Sequence, residues 1–239
     1  MKLEVVSQVD EVKVEEIKHK TVIVIDVLRA SSTIATALAY GAAEVIPVET
    51  IGQARGFQGS QFTLAGERYG KKIMGFPLSN SPTELAVAPL TGQSLILTTT
   101  NGTRAIQKSC KASSILIGSF LNGIACAKMA IQLRKDVTIL CAGSRQRFAF
   151  EDGLCAGYIS SYIQQQIPDS LLNDLGKALI AAYEYTKDDL PEILKTTATG
   201  KRLLASGQES DILYCAQKDI YPFVPVLKEE SIVIQFPQP

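Results

Sequence analysis

Thr21-Val22-Ile23-Val24-Ile25-Asp26-Val27-Leu28-Arg29-Ala30-Ser31-Ser32-Thr33 is a run of five β-formers ending in an acid, a base and three hydroxyls. Ile34, Ala37, Leu38 and Gly41 follow with helical spacing, so the stretch reads as a buried strand, a polar loop and a helix. In a parallel sheet such a loop lies at the carboxyl edge, where open α/β folds bind ligands and helix amino ends meet anions. Asp26 and Arg29 are therefore the first candidates for chemistry.

The same plan repeats outward from this unit. Residues 3–6, 44–48, 62–65, 94–98, 115–119 and 137–141 read as strands, and 51–57, 103–110, 122–133 and the segment from 151 as helices. Ser81, Pro82 and Glu84 form a helix-start signature with a capping box. This alternation predicts an α/β fold, a mainly parallel sheet with helices on both faces. Residues 1–239 read as a single α/β unit, or as two lobes with core motifs in 1–165 and a helical part in 166–239. Within the latter, Leu171 to Gln217 is mostly helical, and it suits a neighbouring copy, as in a homo-oligomer, as well as its own sheet. Ser231 to Phe236 reads as an edge strand.

A chain of 239 residues with 46% apolar and 20% charged residues can bury a substantial core. Its formal net charge of zero gives no sign of a nucleic-acid partner. No run of eighteen apolar residues predicts a membrane span, and five scattered cysteines without disulfide or zinc spacing favour a reducing, cytoplasmic setting. His19, the one histidine, lies in a charged segment and is a poor base for a Ser-His-Asp hydrolase.

The loops beginning at Asp26, Thr98 and Cys141 each carry an arginine: Arg29, Arg104, and Arg145 or Arg147. Their convergence at one edge would suit a multiply charged anion. Thr99-Thr100-Asn101-Gly102-Thr103 offers hydroxyls and the N–H groups of a helix start to a phosphate, although Asn-Gly also makes a plain turn. Ser31-Ser32-Thr33 has the same double reading, since one hydroxyl there must cap a helix. Asp26, Glu67, Glu151 and Asp152 each follow a strand or loop at this edge, and magnesium takes one or two such carboxylates with waters and substrate oxygens. Glu67 and Arg68 equally suit a surface ion pair, and Glu151 and Asp152 a helix dipole.

Two nucleophilic phosphatase patterns can be compared with these residues. Asp26-Val27-Leu28 lacks the second acid of an Asp-x-Asp site, because Leu28 stands in its place. Cys141 to Arg147 has Cys-x5-Arg spacing, but Leu140 replaces the usual preceding histidine and the loop is poor in glycine.

Val24 to Thr33, Ala65-Gly66-Glu67-Arg68, Gly75-Phe76-Pro77-Leu78-Ser79-Asn80-Ser81-Pro82, Thr98 to Thr103 and Cys141-Ala142-Gly143, with Phe148 and Glu151-Asp152-Gly153, together resemble the 2-phosphosulfolactate phosphatase family. The resemblance covers residues 20 to about 160 in order, with Pro77 departing from the polar residue expected there. It implies an α/β fold and magnesium-dependent hydrolysis of 2-phospho-3-sulfolactate to 3-sulfolactate and phosphate, a step of one route to coenzyme M. Carried onto this chain, it makes Asp26, Glu67, Glu151 and Asp152 the metal and water-handling set, with Asp26, Glu67 and Asp152 as Mg2+ ligands. Arg29, Ser31, Thr99, Asn101, Gly102 and Thr103 become the phosphate cradle. Arg68, Asn80, Arg104 or Arg147 would meet the sulfonate and carboxylate. Competing readings are a phosphatase of the same fold acting on another small phosphoester, and a non-catalytic anion-binding protein.

Overall fold

The computed structural model describes residues 1–238. Strand–helix alternation begins with β1 (Lys2–Val6), β2 (Thr21–Ile25), α1 (Ala30–Ala39), β3 (Glu44–Pro47), α2 (Ile51–Gly56), β4 (Phe62–Arg68) and β5 (Lys71–Lys72). It continues through α3 (Pro82–Leu85), β6 (Ser94–Thr98), α4 (Gly102–Lys108), β7 (Ser114–Gly118), α5 (Gly123–Gln132), β8 (Val137–Cys141) and α6 (Phe150–Gln166). The last third holds β9 (Leu171–Leu172), α7 (Asp174–Thr186), α8 (Leu190–Thr196), α9 (Ala198–Ala205), α10 (Glu209–Cys215), β10 (Val224–Lys228) and β11 (Ser231–Gln235).

The strands form one sheet in the order β5-β4-β6-β3-β11-β10-β7-β2-β8-β1-β9. β2 is buried along its whole length and pairs in parallel with β7 and β8, as its uninterrupted apolar run requires. β4, β6 and β3 make a second parallel block, and the antiparallel hairpin of β10 and β11 joins the two. The fold is α/β with a mostly parallel mixed sheet.

One sheet face carries Ile23 and Ile25 of β2 with Leu154, Ile159 and Leu179 of α6 and α7. On the other, Val22, Val24 and Ile117 share a cluster with Val45, Leu95 and Leu97 of the second block, around Ile34 of α1 and Ile106 of α4. The two blocks thus wrap a common core. The loop after β6 lies against the loop after β2: a Cβ on Gly102 would lie 2.4 Å from Ala30 Cβ and 2.7 Å from Asp26 Oδ2.

Three sequence expectations are corrected. β11 is not an edge strand but lies inside the sheet between β3 and β10. Its partner β10 carries Pro225, a residue that argues against an interior strand, and local pattern hides the hairpin for that reason. β4 runs on through Gly66, Glu67 and Arg68, where β5 pairs with it, so these residues are strand rather than loop. Ser81 does cap α3 by accepting from the Glu84 amide at 3.2 Å, but the Glu84 carboxylate turns to the Ser79 amide at 2.9 Å, so the capping box does not close. Among the described residues no helix is long and apolar enough to cross a membrane.

Candidate active site

Asp26 is the first residue beyond β2, and its main chain is held by Ser31. The Asp26 amide donates to Ser31 Oγ at 3.2 Å, and that hydroxyl donates back to the Asp26 carbonyl at 2.8 Å. Ser32 Oγ donates to the Val27 carbonyl at 2.9 Å. The serines therefore stiffen the turn, leaving the Asp26 carboxylate with one long contact, 3.4 Å from the Ala30 amide. Arg29 extends from the same turn, its side chain 3% exposed, and pairs with the equally buried Asp211 of α10.

Three further acids reach this turn from other elements. Asp152, in the first turn of α6, accepts from the Val27 amide at 2.8 Å and the Gly143 amide at 3.0 Å, tying together the loops after β2 and β8. Glu67 of β4 accepts from the Gly70 amide and the Thr100 amide, both at 2.7 Å, tying the β4–β5 turn to the loop after β6. Glu151 is buried beside Asp152, and its carboxylate has no hydrogen bond within 3.5 Å to any described residue.

Burial, then the Glu67 charge, push the Asp26 carboxyl up to about 7; Glu151 adds to this, while the Ala30 amide and Arg29 oppose it. Asp152 is raised well above the usual carboxylate range by burial, Asp26 and Glu151, against the pull of its two amides. Several acids thus crowd one buried space.

These side chains face a cavity of about 240 Å³. Asp26, Arg29, Glu67, Asn80, Asn101, Glu151 and Asp152 line it, as the sequence reading expects of a site. Asn80 is buried, with its Oδ1 unpartnered. Gly102 does not line the cavity but lies against Asp26, where the absence of a side chain permits the contact.

Other candidates are engaged elsewhere. Thr99 Oγ1 accepts from the Thr103 amide at 3.1 Å, and Thr103 Oγ1 accepts from the Thr99 amide at 3.3 Å, so both hydroxyls close the loop on itself. Arg68 donates to the carbonyls of Glu67 and Glu49 and to Thr98 Oγ1. Arg104 turns back from α4 to pair with Asp10. Arg147 is exposed and outside the cavity, because a tight turn joins Ser144 and Arg147 through main-chain bonds of 2.8 and 3.1 Å. That turn puts Arg145 and Gln146 in left-handed conformation, and Arg145 lines the cavity instead.

A family model described as 2-phosphosulpholactate phosphatase matches residues 6–230. The chain belongs to the 2-phosphosulfolactate phosphatase family. A Clostridium acetobutylicum protein named "Probable 2-phosphosulfolactate phosphatase" is 42% identical over 229 residues, covering 94% of this chain and 97% of its own length. Relatives of the same name from Clostridium tetani and Caldanaerobacter subterraneus are 39% and 41% identical, covering 97% and 89% of this chain and 100% and 90% of their own lengths.

For a member of the 2-phosphosulfolactate phosphatase family, the cysteine alternative has no structural footing. Cys141 is fully buried and outside the cavity, and burial with the Asp152 and Glu151 charges pushes its thiol well up, away from a reactive thiolate. The expected metal trio of Asp26, Glu67 and Asp152 is not a closed cage. Among the described residues no three His, Cys, Asp or Glu side chains converge enough to hold an ion unaided.

The sequence reading missed the far wall of the cavity. Thr199, Arg202, Leu203 and Ser206 come from α9 and the residue after it, at i, i+3, i+4 and i+7, and Ser144 and Arg145 of the loop after β8 line the cavity beside Arg202. The spacing on α9 is legible in the sequence as one helix face. Its destination is not, because residues 198–206 have no local mark distinguishing a cavity wall from a solvated face.

Proposed function

We propose that this chain hydrolyses 2-phospho-3-sulfolactate to 3-sulfolactate and phosphate, with magnesium held at the acidic side of the cavity. The carrying observation is the Asp26 carboxyl, forced up to about 7 by burial and neighbouring acids and lacking a close donor. An acid in that state gains from a cation.

The residues suit magnesium in its usual mode of one or two protein carboxylates, with waters and substrate oxygens completing the shell. Asp26 and Glu151 are the acids with oxygens free, whereas both oxygens of Glu67 and of Asp152 already accept main-chain N–H groups. Bound there, the ion would neutralise phosphoryl charge. Glu67 and Asp152 act as struts that fix the loops around it. Glu151 is the acid placed to orient a water and take its proton, because nothing else occupies its carboxylate. Asn80 and Asn101 offer side-chain amides to phosphoryl oxygens, and Arg29, its charge balanced by Asp211, offers guanidinium N–H groups.

The test is phosphate release from 2-phosphosulfolactate and a panel of small phosphomonoesters, each with magnesium and with excess chelator. Release that is fastest on phosphosulfolactate and lost with chelator supports the reading. Chelator-resistant release refutes the metal role, and faster release from another ester refutes the substrate.

A further inference from the structure

The cavity holds charges of both signs. Asp26 follows β2, Glu67 belongs to β4, and Glu151 and Asp152 to the first turn of α6, while Lys71 of β5, Arg145 of the loop after β8 and Arg202 of α9 line the same space. Arg29 and Arg104 are each neutralised, by Asp211 and Asp10. Neither Arg145 nor Arg202 has a carboxylate within ion-pair distance among the described residues.

Arg202 is nevertheless held in place. Its Nη2 donates to Ser144 Oγ at 2.7 Å and to Thr199 Oγ1 at 3.0 Å, bridging α9 to the loop after β8. Its remaining N–H groups are uncommitted. Burial and the nearby Arg145 guanidinium lower its pKa, against the pull of Glu151, so the two cations stand close enough to repel. Unpaired, positioned cations of like sign are stabilised when an anion enters between them.

We infer that Arg202 and Arg145, with the Ser144 and Thr199 hydroxyls, form a second anion subsite, which takes the sulfonate of the substrate while its phosphate lies among the acids. The assignment rests on the reaction proposed above. A sulfonate has three equivalent oxygens on a tetrahedral centre, enough to accept from both guanidiniums and a hydroxyl at once, where a carboxylate has two in one plane. The arginines expected from sequence to read the sulfonate, Arg68 and Arg104 or Arg147, do not line the cavity. Substrate choice thereby passes to the α9 wall, separate from the phosphate chemistry.

The decisive comparison uses 2-phosphoglycerate, which keeps the carboxylate and phosphate and carries a hydroxyl where phosphosulfolactate carries the sulfonate. In Arg202→Met the ratio of kcat/KM for phosphosulfolactate over 2-phosphoglycerate should fall roughly 10- to 100-fold, the loss of a charge-assisted contact. Arg145→Ala, at an exposed position, should lower the same ratio by a smaller factor. Calorimetric binding of 3-sulfolactate should weaken in parallel in both variants. An unchanged ratio, or equal losses on both substrates, overturns the subsite. If the native protein binds 3-sulfolactate through Arg202 but releases no phosphate, the reaction is refuted and the anion subsite stands.

Discussion

Arg29 and Asp211, 182 positions apart, form an ion pair with both side chains shut away from solvent. Asp211 also accepts from Ser81 Oγ at 2.8 Å, Thr83 Oγ1 at 2.6 Å and the Thr83 amide at 3.2 Å. One carboxylate thus fastens the loop after β2, the start of α3 and the C-terminal α10. Asp211→Asn leaves a buried guanidinium uncompensated, and the expected cost is about 3–5 kcal/mol. Urea unfolding measures it. A variant within about 0.5 kcal/mol of the native chain would show that the pair is not holding these elements together.

Asp26→Asn should abolish turnover and leave the fold intact. In metal-free protein its stability should also depend on pH in a stated direction. The folded-state pKa of Asp26 is raised from 3.8 to about 7, so folding is opposed by its ionisation. The penalty is absent below pH 4, grows as pH rises, and is complete above pH 7. Asn bears no such charge, so the variant's gain over the native chain should be near zero at pH 4 and largest above pH 7. Its size follows at about 1.4 kcal/mol for each tenfold weakening of the acid on folding. Urea midpoints across this range decide it; a gain that is flat with pH would mean Asp26 is not the group being forced to ionise.

Gly102→Val forces a side chain into the space that Ala30 and Asp26 occupy, 2.4 and 2.7 Å from where a Cβ would stand. The loops after β2 and β6 must part, costing about 1–3 kcal/mol and displacing Asp26. Phosphate release should fall much further than thermal stability. Unimpaired release would show that this contact does not position the acid.

Cys141→Ser separates the two phosphatase chemistries. The thiol is buried and held neutral, so its loss should leave most of the phosphate release and cost about 1–3 kcal/mol of stability from the added polar group. Abolished release in a folded variant would restore the thiolate as nucleophile.

The chain's local patterns were enough to determine the α/β class, β2 as a buried strand, and the acids Asp26, Glu67, Glu151 and Asp152 as residues of one edge. Burial on both faces leaves a continuous apolar run, and a strand followed by a helix must place its intervening polar residues at the carboxyl end. Tertiary structure alone decided which polar groups remain free. Ser31, Thr99 and Thr103 have the right chemistry for an anion but spend it on neighbouring main chain, and Arg68, Arg104 and Arg147 are turned to other partners or to solvent. Asp211 and Arg202 entered the site only through folding, by a long-range ion pair and a helix face docked on the cavity, and a left-handed turn chose Arg145 over Arg147. A sequence states what each side chain can bond; its partner depends on contacts across the whole chain, which no local spacing encodes.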